Sequence, residues 1–235
     1  MELLFRTDSQ ARSCTASVTA AGPGPRVATD RTVFYPTGGG QPGDTGEIRW
    51  PGGHAAIVDT VKGEAPDTVV HVLAEGAEPP PPGTAVELVL DWDRRHRHMR
   101  MHTALHLMCA VVPGAVTGGQ IGAERSRLDF DVPSGALDRD AIEAGINALV
   151  AADHPVVAGS ITDADLAAKP DLVRTMSVRP PTGSGTVRTI RIGDVDYQPC
   201  GGTHVRSTAE IGGVEVLKIE NKGKQNRRVV IGLKG

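Results

Sequence analysis

The chain is poor in aromatic residues, with two Trp, two Tyr and three Phe in 235 residues. Stacking of many rings on successive bases is thereby excluded as its main binding device. Cysteine is scarce too: Cys14, Cys109 and Cys200 form an odd, widely spaced set, which excludes a disulfide framework. No apolar run is long enough to span a bilayer. The opening "MELLFRTDSQ" lacks the basic segment and apolar stretch of a secretory leader. A cytoplasmic protein without membrane attachment is expected. An excess of one charge is also missing, since 25 Lys and Arg against 28 Asp and Glu leave a formal net charge of -3. This argues against a uniformly basic nucleic-acid binder and leaves room for local basic patches.

Glycine and proline are plentiful, at 29 and 17 residues, and they punctuate the N-terminal part. There "RTVFYP", "GEIRW", "AAIVDTV", "TVVHVL" and "AVELVLDW" are short runs rich in β-branched residues, separated by "TGGGQPGDTG", "PGGH" and "EPPPPG". Short strands so spaced predict a small barrel or sandwich. At Asp91 the pattern changes. No glycine or proline follows until Pro113 and Gly114, which predicts a helix capped by Asp91. A boundary near residue 90 follows, with one domain over 1–90 and a second over 91–235. In the second, Ile142, Ile146, Leu149 and Val150 share a helical stripe behind a cap at Asp138. "DADLAAK" predicts a short helix stopped by Pro170. "TVRTIRI", "GGVEVLKIE" and "RRVVIGL" predict strands, the last two joined by the hairpin loop "NKGKQN". The expected fold class is α+β, a small N-terminal β-barrel followed by a two-layer α/β domain.

Two short motifs carry the chemistry. "QPCGGTHV" sets Cys200 and His204 on either side of three small residues. His102 and His106 lie four apart on the predicted helix, so both imidazoles project from one face. Met99 and Cys109 share that stripe, which turns the face inward. Either pair alone is a weak signal. Together they offer one thiolate and three imidazoles, a set that favours one zinc ion per chain. The helix reads "HTALH", not HExxH, so the glutamate base of that class of zinc peptidase is absent. Four protein ligands close a tetrahedral shell, which usually marks a structural site. Catalysis then requires an exchangeable ligand, an expanded shell or a reaction beside the metal. His96 and His98 read as solvated neighbours of Arg94, Arg95, Arg97 and Arg100. His54, His71 and His154 read as ordinary surface or strand residues, and Cys109 as a buried small hydrophobe.

"HTALHLM", "CGGTHV" and "FYPTGGGQPGD" together resemble the editing domain of alanyl-tRNA synthetase, and above all its free-standing AlaX relatives in their longer form. The likeness runs from about Val33 to the C-terminus. The histidine and cysteine-histidine pairs are shared with the editing domain of threonyl-tRNA synthetase, and the common "HTATH" is "HTALH" here. The resemblance implies a trans-editing aminoacyl-tRNA deacylase that works without ATP on mischarged seryl-tRNA(Ala), with glycyl-tRNA(Ala) as a second substrate. It places the zinc on His102, His106, Cys200 and His204. Editing of another mischarged tRNA, hydrolysis of small esters, and a tRNA-binding module with a structural zinc stay open, as do monomer and dimer.

The aminoacyl ester is already activated, so the protein need only place a water and stabilise an oxyanion. Accepting serine over alanine calls for groups that bond the extra hydroxyl. Thr103 and Gln120 are the expected catalytic residues, for that hydroxyl or the attacking water. A hydroxyl bonded back to its own helix and a plain polar loop residue are the alternatives. Backbone N–H groups of Gly201 and Gly202 are expected to face the oxyanion, or else merely to form a tight turn. By the resemblance, Gly38, Gly39, Gly40 and Gln41 touch the terminal adenosine or the amino acid, the alternative being a flexible turn. Arg94, Arg97, Lys218, Lys222, Lys224 and Arg227, with Arg95, Arg100 and Arg228 nearby, are expected to hold tRNA phosphates in a salt-dependent way.

Overall fold

The structure, a computed structural model, describes residues 1–133, 135–176, 183 and 185–234. Its contacts divide into two compact units, Met1–His96 and Arg97–Gly235. Among the described residues no helix is long and apolar enough to cross a membrane.

The first unit contains β1 (Glu2–Leu3), β2 (Ser13–Ala21), β3 (Arg26–Thr29), β4 (Arg31–Thr32), β5 (Gly46–Trp50), β6 (Gly53–Lys62), β7 (Val69–Leu73) and β8 (Ala85–Leu90). Six of these close into a barrel in the order β2-β3-β7-β6-β5-β8, while β1 pairs with β4 beside it. Closure leaves no free edge among the six. Alternation fills the interior: Val18, Val27, Ile48, Ile57, Leu73, Val86 and Leu88 point inward. Two strands escape a reading based on β-branched runs. β2, "SCTASVTAA", is made largely of small residues, and only its alternation, Ala16 and Val18 inward, marks it as a strand. β3 is short and follows directly on the turn at Gly24. "RTVFYP" is strand only at Arg31–Thr32; its Val33, Phe34 and Tyr35 plug the core instead.

The glycine-rich segment after Tyr35 is a hydrogen-bonded turn. Gly38 and Gln41 exchange both backbone bonds at 3.0 Å, with Gly39 and Gly40 at φ 57° and 82° between them. That two-residue geometry needs positive φ twice, which glycine supplies without strain. Gly43 is fixed by space, since a Cβ there would stand 2.1 Å from the Thr60 carbonyl oxygen. Asp44 ends the segment, and its carboxylate accepts from the Tyr35 N–H at 2.6 Å.

Helix α1 (Trp92–Val111) starts in this unit. Asp91 caps it, accepting from the Arg94 N–H at 3.1 Å. The division between units falls after the helix's first turn because that turn is tied to the barrel. Arg94 donates to the Gly43 carbonyl at 2.7 Å, and the Arg95 guanidinium meets Asp44, donating also to the Val33 carbonyl at 2.6 Å. Arg95 and Asp44 are each 1% exposed. Arg95 is therefore a buried structural cation rather than a phosphate contact. His98 is also buried rather than solvated. The arginines around it give that stretch a polar look, but the helix is enclosed from this point on. His71, read as ordinary, lies wholly inside the barrel against the Phe34 ring at 5.1 Å, and neither ring nitrogen has a hydrogen-bond partner among the described residues.

In the second unit the body of α1 is enclosed on every side, from Met101 through Cys109. Around it come β9 (Val116–Gln120), β10 (Ser126–Asp131), α2 (Arg139–Ala151), β11 (Val156–Thr162), α3 (Asp163–Ala167), β12 (Thr186–Ile192), β13 (Asp196–Pro199), β14 (Val214–Asn221) and β15 (Asn226–Leu233). The strands form a sheet ordered β14-β15-β10-β9 and a second ordered β11-β12-β13, each antiparallel throughout. Asp138 caps α2, whose Ile142, Ile146 and Val150 are buried while Leu149 is only half-buried. The Asn147 amide on that helix bonds the Val214 carbonyl and N–H at 2.7 and 2.9 Å, which seats α2 on β14.

Candidate metal centre

Two elements build the centre. α1 holds His102 and His106 one turn apart, 9% and 5% exposed. The loop leaving β13 carries Cys200 and His204 back against them. Arg188 on β12 pins that loop, donating to the carbonyls of Cys200 and Gly202 at 2.8 and 2.9 Å. The ligand atoms of His102, His106, Cys200 and His204 all lie within 4.8 Å of one another. Cys200 Sγ is 3.2 Å from His204 Nε2 and 3.5 Å from His102 Nε2. With metal–nitrogen and metal–sulfur bonds of about 2.0 and 2.3 Å, tetrahedral angles set nitrogen and sulfur about 3.5 Å apart. The spacing thus suits one four-coordinate metal ion.

The electrostatics suit one as well. Burial pushes the Cys200 thiol up, but His102 and His204 beside it act more strongly and hold it well below the ordinary thiol range. Burial, with His102 close by, keeps His204 neutral far below the ordinary imidazole range. For His106 burial works against the charged form, yet the hydrogen bond to Asp196 and the neighbouring Cys200 outweigh it and raise His106 to about 9. A metal takes the thiolate and the neutral imidazole, so binding here releases a proton.

Behind the four ligands lie partners that the motifs do not announce. Asp196 Oδ2 is 2.9 Å from His106 Nδ1 and accepts from Gln198 Nε2 at 2.9 Å. Both residues are buried, at 3% and 6% exposure. A signal was present: Asp196 and Gln198 stand at i and i+2 in β13, hence on one face, in the strand that leads to Cys200. Thr103 is wholly buried; its hydroxyl donates to the Met99 carbonyl at 2.9 Å and lies 3.1 Å from His204 Nδ1. The bond to its own helix is real, and the same oxygen braces a ligand.

The other expected site residues lie on several elements. Gln120 ends β9, exposed and opposite Arg127. Gly201 is exposed with open space around it, and Gly202 is buried. Gly38, Gly39, Gly40 and Gln41 belong to the barrel unit. Arg97 is exposed and pairs with Glu124 at 2.9 Å, and Arg100 donates to the Ile211 carbonyl at 2.7 Å. Lys218 and Lys222 flank Glu220 at 2.7 and 3.2 Å, while Lys224 is exposed in the β14–β15 turn. Arg228 grips Asp129 at 2.7 Å. Arg227 is only 4% exposed, and its guanidinium bonds the carbonyls of Gly223, Lys224 and Asn226. It braces the hairpin turn from within instead of standing on the surface.

Comparison with known proteins agrees with this arrangement. The family described as threonyl and alanyl tRNA synthetase second additional domain matches residues 187–230, the stretch that brings Cys200 and His204. The class II tRNA synthetase family matches residues 6–94, which covers the barrel. An alanyl-tRNA editing protein AlaX-M of Methanosarcina acetivorans is 35% identical over 239 residues, covering 97% of both chains. The chain belongs to the alanyl-tRNA editing family. Two further relatives set its extent. AlaX-L of Pyrococcus horikoshii is 34% identical over 86% of this chain and 50% of its own length. The alanine--tRNA ligase of Pyrobaculum neutrophilum is 37% identical over 92% of this chain and 25% of its own. Sequence similar to this chain thus occurs both in chains of this size and within much longer ones.

Proposed function

We propose that this protein hydrolyses seryl-tRNA(Ala) in trans, with glycyl-tRNA(Ala) as a second substrate, and spares alanyl-tRNA(Ala). As a member of the alanyl-tRNA editing family the chain is an aminoacyl-tRNA hydrolase. The observation that carries the specific reading is the convergence of His102, His106, Cys200 and His204 in a chain matched end to end by an editing protein. One thiolate and three imidazoles favour zinc over harder cations. When bound, zinc would supply a Lewis acid able to polarise the ester carbonyl or hold the substrate's amino group.

The chain's own groups do the rest. Thr103 reaches no solvent, so its part runs through His204, whose ring it orients. Gln120 is the residue with a free surface position from which to bind the serine hydroxyl or the attacking water. The N–H groups of Gly201 and Gly202 suit an oxyanion, because the loop carbonyls beside them are already engaged by Arg188. The rigid turn from Gly38 to Gln41 offers backbone groups for the terminal adenosine. Arg94, Arg97, Lys218, Lys222 and Lys224 offer charge for the tRNA(Ala) phosphates. The reaction needs no ATP and suits a cytoplasmic protein, as monomer or dimer.

One observation favours a second reading: four protein ligands fill a tetrahedral shell, as structural zinc sites do. The protein would then bind tRNA without turnover. Deacylation of seryl-tRNA(Ala) and alanyl-tRNA(Ala), with metal content assayed in parallel, separates the two. Loss of serine with alanine spared, at about one zinc per chain, is expected. Zinc-loaded, folded protein that cleaves neither ester but retains tRNA would establish the second reading.

A further inference from the structure

Asp196 stands outside the four ligands and has an arrangement that packing alone does not require. Its Oδ2 receives two donors from one side, His106 Nδ1 at 2.9 Å and Gln198 Nε2 at 2.9 Å, and these two nitrogens are themselves 3.1 Å apart. Two nitrogens so close that both face one carboxylate oxygen are satisfied only if each gives that oxygen a proton. Nδ1 of His106 therefore carries a hydrogen, which leaves Nε2, the other ring nitrogen, as the one that can offer a lone pair to a metal once its proton is released. The second oxygen of Asp196, Oδ1, is buried and has no hydrogen-bond partner among the described residues. A carboxylate 3% exposed with one oxygen unpaired is costly where it stands. A dication beside it would offset that cost.

We infer that Asp196 is the positioning residue of the metal centre: it locks His106 with Nε2 toward the ion, and its charge balances the ion. A divalent cation meeting one thiolate and three neutral imidazoles leaves a buried unit of positive charge; the Asp196 carboxylate cancels it. The ligand helix thus receives its charge from a residue on the strand that also leads to Cys200. β13 carries Asp196 and ends at Pro199, so the residue that follows it is Cys200. The other braced histidine, His204, has only the neutral Thr103 hydroxyl behind it. The two second layers are unequal, and removal of the charged one should cost more.

The inference rests on the metal reading above, and the test separates the two. Zn2+ and Co2+ affinities of the full-length protein are measured by competition with a chromophoric chelator, for wild type, Asp196→Asn, Asp196→Glu and Thr103→Val. Asp196→Asn keeps the shape and removes the charge. It is expected to weaken both metals about 10- to 100-fold, the range for a lost ligand-orienting partner, and to shift the visible bands of the Co2+ protein. Asp196→Glu is expected to recover part of the affinity, and Thr103→Val to lose less than Asp196→Asn. A purely structural Asp196 would lower the melting temperature of the metal-free protein and leave affinity and spectrum alone. Asp196→Asn binding both metals as wild type does, with an unaltered Co2+ spectrum, overturns the inference. Should Asp196→Asn fail to fold, Asp196→Glu decides in its place: unchanged affinity overturns the inference, a several-fold loss supports it. A wild-type protein that binds neither metal sinks the metal reading itself.

Discussion

In the barrel unit, Arg95 and Asp44 are buried face to face, each 1% exposed, and the guanidinium spends its remaining donors on backbone carbonyls. In the second unit, His102, His106, Cys200 and His204 are drawn together with their donor atoms aimed at one another. Both arrangements bury ionisable groups, and the difference lies in what completes them. The ion pair is complete within the chain, so its work is to fasten the first turn of α1 to the glycine-rich turn. The cluster brings four possible ligand atoms within 4.8 Å of one another, an arrangement compatible with a metal ion from outside. A buried polar group is therefore informative by its unspent valence, and among the described residues the same test marks His71 and Asp196 Oδ1 as two of several places of tension.

The contrast can be broken most severely at Cys200. Cys200→Ala removes the thiolate and is expected to leave the protein folded, with metal content falling from about one per chain toward zero and deacylation reduced more than about 100-fold, beyond the effect of an outer partner. Metal analysis and a tRNA deacylation assay read this out. Retention of metal by the variant would show that the three histidines suffice.

The barrel's counterpart is Arg95→Ala. It strands Asp44 in the interior and is expected to cost about 3–5 kcal/mol of stability. Both tryptophans, Trp50 and Trp92, lie in the unit Met1–His96. Urea unfolding followed by tryptophan fluorescence therefore has its probes in that unit. A midpoint unchanged from wild type would mean that the pair contributes nothing.

A smaller effect sharpens the comparison through pH. Burial without a partner lowers His71 from 6.5 to about 4. The unfolded chain therefore takes up a proton between these values that the folded barrel refuses. The stability is fully present above pH 6.5 and drains away as pH falls toward 4, by about 3 kcal/mol at the lower limit. The same fluorescence titration, repeated across that window, should show the loss in wild type and a flatter profile in His71→Leu. Equal slopes would place the acid sensitivity elsewhere.

The mildest test is Gly201→Ala. An added Cβ there meets nothing within 4 Å, so stability is expected to change by less than about 0.5 kcal/mol. Since the backbone N–H is kept, deacylation is expected to persist. A large loss of activity with the fold intact would mean that substrate passes close over this glycine.

Much of this was legible in the chain as written. The helix after Asp91, its stop at Pro113 and Gly114, the cap at Asp138 and the hairpin around "NKGKQN" all follow from local chemistry. The barrel strands rich in β-branched residues were equally plain, whereas β2 was hidden by its small side chains. Arg95 and His98 were misplaced for one reason: polarity by itself argues for the surface, and only partners or enclosure reveal the exception. Arg227 was misplaced likewise, its guanidinium being turned into its own hairpin.

What the sequence determined by itself is whatever a period of 3.6 or 2 can express. His102 and His106 share a helical face, and Asp196 and Gln198 share a strand face, because these spacings follow from backbone geometry. What only the tertiary structure decided is which faces meet. His106 finds Asp196 across 90 positions, and Arg95 finds Asp44 across 51. No local rule spans such distances. They are settled when apolar surface closes over the chain and each buried polar group is left to be matched by the partner that the packing brings to it.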